Sequence, residues 1–217
     1  MMHRITVLLV DDHDILRKGI KAILEKEPDI TIVGEASNGI DAVRCAEEKK
    51  PDVVLMDISM PILNGLQATA RIKKSLPKTN MIILSRHATQ EYVYNAFKAG
   101  ASGYLVKQTA FSDLISAIRT VHDGKKFLSP SVSEVLIDIF LKNTSHKTGE
   151  NLPTVLTARE QEILQLIAEG MSNSQIAGHL HVSLNTVATH RTHIMTKLNI
   201  HSTAKLIRYA IDQGLIE

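Results

Sequence analysis

The sequence predicts an α/β domain, a flavodoxin-like, doubly wound, five-stranded parallel sheet of order 2-1-3-4-5, followed by a small all-α domain. Apolar runs alternate five times with stretches of helical periodicity between residues 4 and 124, which is typical of βα units. Several runs are continuously apolar, as in strands that helices cover on both faces. The all-α prediction rests on repeated helix-start signals after residue 153.

The elements of the first domain follow in chain order. We expect strands at 5–10, 30–35, 53–56, 81–84 and 104–106, and helices at 13–27, 38–50, 63–76, 89–100 and 110–123. Gly124 ends the last of these helices. The predicted order places the first and third strands side by side.

Four of the five strands end in a polar side chain. Asp11 and Asp12 follow the first strand, Asp57 ends the third, Ser85 the fourth and Lys107 the fifth. A polar residue at one strand end is usually a turn or a cap, but parallel strands gather these four ends at one sheet edge. Clustered carboxylates repel one another, and Mg²⁺, which prefers carboxylates, water and phosphate oxygens, relieves that repulsion. This set indicates a phosphoryl-transfer site with a carboxylate as possible acceptor.

The domain boundaries are predicted from a change in composition. Residues 1–125 form the first domain, 126–152 a linker with one helix, and 153–217 the second domain. No apolar run reaches the roughly 18 residues of a membrane span, and the chain enters a strand too early for a signal peptide. Cys45 is the only cysteine, so no intrachain disulfide can form. A cytoplasmic protein is expected.

The second domain contains two capping-box patterns and a short interhelical turn. Thr157 is followed by Glu160, and Ser172 by Gln175, each three residues later. A third helix begins after Ser183 and runs to about residue 198. Two short helices joined by so brief a turn predict a helix-turn-helix.

The third helix of this domain has one apolar and one polar face. At about 100° per residue, Val187, Ile194 and Leu198 share a face, flanked by Leu184 and Met195. The opposite face holds Asn185, Thr189, Thr192, His193 and Thr196. No acidic residue occurs between 171 and 211, although the whole domain has five basic and five acidic residues. The polar face could be merely solvated, but this sidedness favours a polyanion partner.

The first domain resembles the receiver domain of bacterial two-component response regulators over residues 4 to 124. The resemblance implies that Asp57 accepts a phosphoryl group from a histidine kinase, and that Mg²⁺ is bound by Asp12, Asp57 and the Ser59 backbone carbonyl, with Asp11 acting through water. It also implies three switch residues, namely Lys107, which pairs with the phosphoryl oxygens, Ser85, which moves toward them, and Tyr104, which reports that movement. In that geometry Ser59 and His87 would flank the path of the hydrolytic water and modulate dephosphorylation.

The second domain resembles LuxR-type output domains, and the combination resembles the NarL/FixJ family of transcription regulators. Relatives commonly have a DNA-contacting lysine where this chain has Ala188, so their base preference cannot be transferred. The expected DNA contacts are Asn185, Ala188, Thr189, Arg191, Thr192, His193, Thr196 and Lys197.

The sequence therefore predicts a phosphorylation-activated DNA-binding transcription regulator rather than an enzyme. Its expected partners are a histidine kinase, promoter half-sites in double-stranded DNA and, when phosphorylated, a second copy of the chain; no membrane is involved. The alternative is a phosphotransfer or interaction module whose helical domain serves mainly for dimerisation. Two modes of control stay open: the first domain covers the Asn185–Thr196 face, or it keeps the protein monomeric.

Overall fold

The computed structural model describes residues 4–86, 88–107, 111–145, 156–213 and 215–216. The chain divides into two compact units, Met1–Ser145 and His146–Glu217. Within the described ranges, no helix has the length and apolar character that crossing a membrane requires.

The first unit is built on a parallel sheet. Its strands are β1 (Ile5–Val10), β2 (Ile30–Ala36), β3 (Val53–Asp57), β4 (Asn80–Ser85), β5 (Gly103–Val106) and β6 (Phe127–Leu128). Their order is β2-β1-β3-β4-β5-β6, which confirms the predicted 2-1-3-4-5 order. The two-residue β6, which pairs in parallel with β5, was not predicted from the sequence.

Helices cover both faces of the sheet. They are α1 (Asp14–Leu24), α2 (Gly39–Lys49), α3 (Gly65–Ser75), α4 (Gln90–Lys98) and α5 (Phe111–His122). Because successive side chains of a strand point to opposite faces, Leu55 packs in the cluster with α1 and α5. Its neighbour Met56 packs in the cluster with α2, α3 and α4. The five residues of β3 are all buried; the apolar run 53–56 accounts for the first four, and the fifth is Asp57.

A sixth helix, α6 (Pro130–Ser145), packs on the same unit. Val132 is fully buried in the cluster that also contains Tyr104. The Ser129 backbone N–H donates to the Tyr104 carbonyl oxygen at 3.1 Å. Residues 127–136, within the segment 126–152 that was predicted to be a linker with one helix, thus extend the sheet and core of the first unit.

The second unit consists of α7 (Ala158–Ala168), α8 (Asn173–His179), α9 (Leu184–Leu198) and α10 (Thr203–Asp212). Both predicted capping boxes are present, at the starts of α7 and α8. One apolar cluster joins the four helices through buried side chains that include Ile163, Leu166, Ile176, Val187, Ile194 and Leu206.

The turn between α8 and α9 is short and hydrogen-bonded. His181 adopts a left-handed backbone conformation with φ of 51°, and the Val182 N–H donates to the Ala177 carbonyl at 3.0 Å. The Ser183 side chain then accepts from the Thr186 N–H and begins α9. This geometry is a helix-turn-helix, with α9 as its second helix.

Candidate functional site

Two carboxylates meet at the carboxyl edge of the sheet. Asp57 is the last residue of β3, and Asp11 directly follows β1, which pairs with β3. The Asp11 side chain is fully buried and that of Asp57 is 2% exposed. Asp12 and His13 complete a group in which each of the four residues offers one ligand atom, all within 4.8 Å of one another.

Lys107 lies between the two buried carboxylates. Its Nζ is 2.7 Å from Asp57 Oδ2 and 3.0 Å from Asp11 Oδ2. Burial raises the pKa of Asp57 to about 7, and the charge of Asp11 adds to this rise while Lys107 opposes it. Burial alone would lower the pKa of Lys107, but the attraction of Asp57 and Asp11 outweighs it and the pKa is raised.

The position of Asp57 depends on a close backbone contact with Gly65. A Cβ at Gly65 would lie 1.8 Å from the Asp57 carbonyl oxygen, so no larger residue fits without displacing the end of β3. The Gly65 N–H donates to the Ile58 carbonyl at 2.8 Å, and Asn64 caps the helix by accepting from Gln67 N–H. The start of α3 therefore fixes the position of the loop that follows Asp57.

Ser85 and Tyr104 form a buried pair beside this site. Ser85 ends β4 and is 3% exposed, whereas Tyr104 on β5 is fully buried. Burial raises the pKa of Tyr104 well above its ordinary value, and a side-chain hydrogen bond with Ser85 offsets part of the rise. A displacement of the Ser85 hydroxyl would therefore remove a partner of the Tyr104 phenol.

In the second unit, α9 buries Val187 and Ile194 and exposes the predicted polar face. Of the residues predicted to contact DNA, those exposed on α9 are Asn185, Ala188, Thr189, Thr192, His193 and Thr196. The hydroxyls of Thr192 and Thr196 donate to carbonyls one turn earlier, at 3.1 and 3.0 Å.

Two basic residues of α9 bind partners within their own unit. Arg191 donates to Asn173 Oδ1 at 3.2 Å and to Thr203 Oγ1 at 2.7 Å. Lys197 Nζ lies 2.7 Å from Glu160 Oε2. A DNA contact by Lys197, as predicted from the sequence, would have to compete with this ion pair.

Comparison with known families assigns both units. Residues 7–119 match the response regulator receiver domain, and residues 154–210 match the luxR family of bacterial regulatory proteins. The chain is a LuxR-type response regulator. It therefore belongs to a family of two-component transcription regulators and not to one of classical enzymes.

Relatives of this response regulator match it along nearly the whole chain. Oxygen regulatory protein NreC of Staphylococcus carnosus is 39% identical over 214 residues, which cover 97% of this chain and 99% of NreC. The crystal structure of ChrA, a response regulator of a heme-sensing two-component system, is 36% identical, with a TM-score of 0.53 over 98% of this chain and 99% of ChrA. RcsB from Salmonella enterica serovar Typhimurium, solved bound to a promoter, is 27% identical, with a TM-score of 0.60 over 95% of this chain and 98% of RcsB.

The site of this response regulator includes two residues that the sequence reasoning missed. His13 Nδ1 is 2.7 Å from Asp12 Oδ1, and its Nε2 is 2.7 Å from an Arg86 guanidinium nitrogen. Both residues follow strand ends, and each lies one position after a predicted site residue, so extending that criterion by one position would have found them. Of the two predicted dephosphorylation residues, Ser59 is partly exposed after β3, and His87 lies outside the described residues.

Proposed function

We propose that Asp57 accepts a phosphoryl group from a histidine kinase and that this modification controls DNA binding by α9. The observation that carries the proposal is the placement of Asp57, which ends the central strand beside the buried Asp11 and pairs with the ammonium group of Lys107 at 2.7 Å. A carboxylate paired with a cation at this edge suits nucleophilic attack on an anionic phosphoryl donor.

In the proposed step, an oxygen of Asp57 attacks the phosphorus of a phosphohistidine. The O–P bond forms as the N–P bond breaks, and the departing imidazole takes up a proton. The attack needs the ionised carboxylate, although burial raises its pKa to about 7. Lys107 opposes that rise and can follow the incoming phosphoryl oxygens, because its Nζ already lies 2.7 Å from Asp57.

The site also fits Mg²⁺. We propose that Asp12, Asp57 and the Ser59 backbone carbonyl bind this ion, with Asp11 acting through water. The carboxylates of Asp11, Asp12 and Asp57 belong to a group of ligand atoms, completed by His13, that all lie within 4.8 Å of one another, which suits a hard divalent cation. When bound, the ion supplies positive charge against the carboxylate and phosphoryl oxygens. His13 holds Asp12 in place through its 2.7 Å contact.

The Ser85–Tyr104 pair is the proposed switch. A phosphoryl group adds about −1.5 to −2 charges, which gives the Ser85 hydroxyl an acceptor stronger than its present partner. Tyr104 then loses its hydrogen bond with Ser85 and repacks. Its carbonyl accepts from Ser129 at the start of α6, so the change reaches the last helix of the first unit. Ser59 and His87 are proposed to set how long the phosphoryl group survives.

The proposed DNA interface is the exposed face of α9, joined by Arg191 and Lys197. The major groove admits an α-helix, so amide and hydroxyl side chains on this face can reach base edges. A two-fold dimer would contact half-sites about 10 bp apart, or a multiple of that spacing, with α10 as the proposed dimer contact. We propose a cytoplasmic location for the protein, because binding to a bacterial chromosome requires it.

Two measurements on the full-length protein test the proposal. With phosphoramidate and Mg²⁺, the intact mass should increase by one phosphoryl group in the parent and in Asp123→Asn, a matched change at an exposed carboxylate, but not in Asp57→Asn. The phosphorylated parent should then bind duplex DNA with an affinity that falls steeply as salt rises. Undiminished labelling of Asp57→Asn would refute the acceptor assignment, and salt-independent binding would refute the polyanion interface.

A further inference from the structure

Leu184, the first residue of α9, is exposed in a way that its chemistry does not favour. Its relative exposure is 54%, and the only other exposed large apolar side chain in the described part of the second unit is Ile211, at 44%. The helical wheel places Leu184 beside the buried face, yet the core closes over Val187 and Ile194 without it. Leu184 is therefore left for another contact.

The surroundings of Leu184 indicate what that contact is. No acidic residue occurs between 171 and 211, so the surface around it suits a polyanion rather than another protein's basic face. In a helix-turn-helix, the N-terminal residues of the second helix approach the base edges. Leu184 occupies that end, and the exposed Asn185 follows it directly.

Ala188 makes this approach possible. It lies one turn after Leu184, about 40° away around the helix, and it is exposed. Its single methyl group leaves room for the helix to lie close to the bases at this point. The Thr192 hydroxyl one turn later donates to the Ala188 carbonyl at 3.1 Å, so it is engaged with the helix rather than free to donate to a base.

Only one apolar group is offered by base edges in the major groove, the C5-methyl group of thymine. We propose that Leu184, with Ala188 beside it, recognises a thymine methyl group in each operator half-site. The inference deepens the proposed DNA-binding function and rests on it. It assigns sequence preference at the start of α9 to a methyl contact made by Leu184 and Ala188.

The test uses full-length protein phosphorylated with phosphoramidate and Mg²⁺. Binding sites are first selected from random duplex DNA. Each thymine of the selected half-site is then replaced singly by deoxyuridine, which keeps the base pair and removes only the methyl group. At one or two positions we expect binding about fourfold weaker, the effect of one methyl group that loses its apolar contact.

Three further binding measurements test whether the effect of deoxyuridine is due to Leu184. In Leu184→Ala, thymine and deoxyuridine at the sensitive position should bind equally. In Ile40→Ala, which truncates an exposed apolar side chain of the first unit, the fourfold difference should persist. Replacing the sensitive T·A pair by 5-methylcytosine·G should bind the parent more tightly than cytosine·G does, because the methyl group returns to the same place.

The outcomes separate this inference from the function on which it rests. Salt-dependent binding that tolerates deoxyuridine at every position, or a deoxyuridine effect that survives Leu184→Ala, would overturn the methyl contact and leave DNA binding intact. A selected half-site without thymine would do the same. Failure to enrich any duplex would overturn both.

Discussion

Neutralising the buried carboxylate at position 57 should make the metal-free protein more stable. The pKa of Asp57 is raised from 3.8 to about 7, first by burial and then by the charge of Asp11. The rise is about three pH units, and each unit corresponds to roughly 1.4 kcal/mol. Above neutral pH the ionised carboxylate therefore costs the fold about 4 kcal/mol. Allowing for imperfect packing of the amide, we expect Asp57→Asn to gain roughly 2 to 4 kcal/mol at pH 8.

The gain must depend on pH in a defined direction. Because the pKa of Asp57 is higher in the folded than in the unfolded protein, folding favours the protonated acid. The parent loses this contribution as pH rises from about 4 to about 7, whereas the amide variant does not titrate. The advantage of Asp57→Asn should therefore be near zero at pH 4, grow through that window and level off by pH 8.

Amide hydrogen exchange of the full-length protein in a chelating buffer measures this gain, since peptides from β1 and β3 report the first unit alone. Asp123→Asn, whose side chain is 67% exposed, is the matched control and should not reproduce the gain. Adding Mg²⁺ should stabilise the parent and not Asp57→Asn. A gain that is absent at pH 8, or equal at pH 5 and 8, would refute the electrostatic reasoning.

Three other substitutions test particular contacts. Gly65→Ala, whose Cβ would meet the Asp57 carbonyl oxygen at 1.8 Å, should lower the unfolding free energy by at least about 3 kcal/mol and slow phosphoryl uptake. Gly178→Ala, where a Cβ meets nothing within 4 Å, should instead stabilise α8 by about 0.5 to 1 kcal/mol in urea unfolding. Lys197→Ala should weaken the second unit by about 1 to 3 kcal/mol at pH 7. Burial would raise the pKa of Glu160, but hydrogen bonds, first that of Lys197, hold it at about 2. The stabilisation by this pair is therefore present above pH 4.5 and lost as pH falls toward 2. Acid unfolding of the parent and of Lys197→Ala, followed by circular dichroism, should give curves that converge near pH 2.

The cluster of polar residues at the carboxyl edge of the first unit could be predicted because it follows from short stretches of sequence. A buried parallel strand must be apolar throughout, so a polar residue at its end marks the carboxyl edge, where Asp11, Asp57 and Lys107 meet. The starts of α7 and α8 could also be predicted, since a capping box is a contact between residues three positions apart. Both features need only short stretches of sequence.

Features that depend on tertiary contacts could not be predicted. The two-residue β6 carries no periodic signal and exists because it pairs with β5. The ion pair between Lys197 and Glu160 joins residues 37 positions apart, so no local pattern predicts it. The exposure of Leu184 likewise depends on where the core of the second unit ends. A helical wheel shows one helix only and does not give that boundary.

The hydrogen bond between Ser129 and Tyr104 has a consequence for the direction of signalling. If phosphorylation of Asp57 changes the conformation of α6 through this contact, a change in α6 must alter the free energy of phosphorylation by the same amount, because coupling free energies are reciprocal. If phosphorylation raises operator affinity by a given factor, a bound operator must favour phosphorylation by that same factor. The promoter is then an effector of its own regulator, and the phosphorylated fraction of the protein should be higher at occupied operators than in free solution.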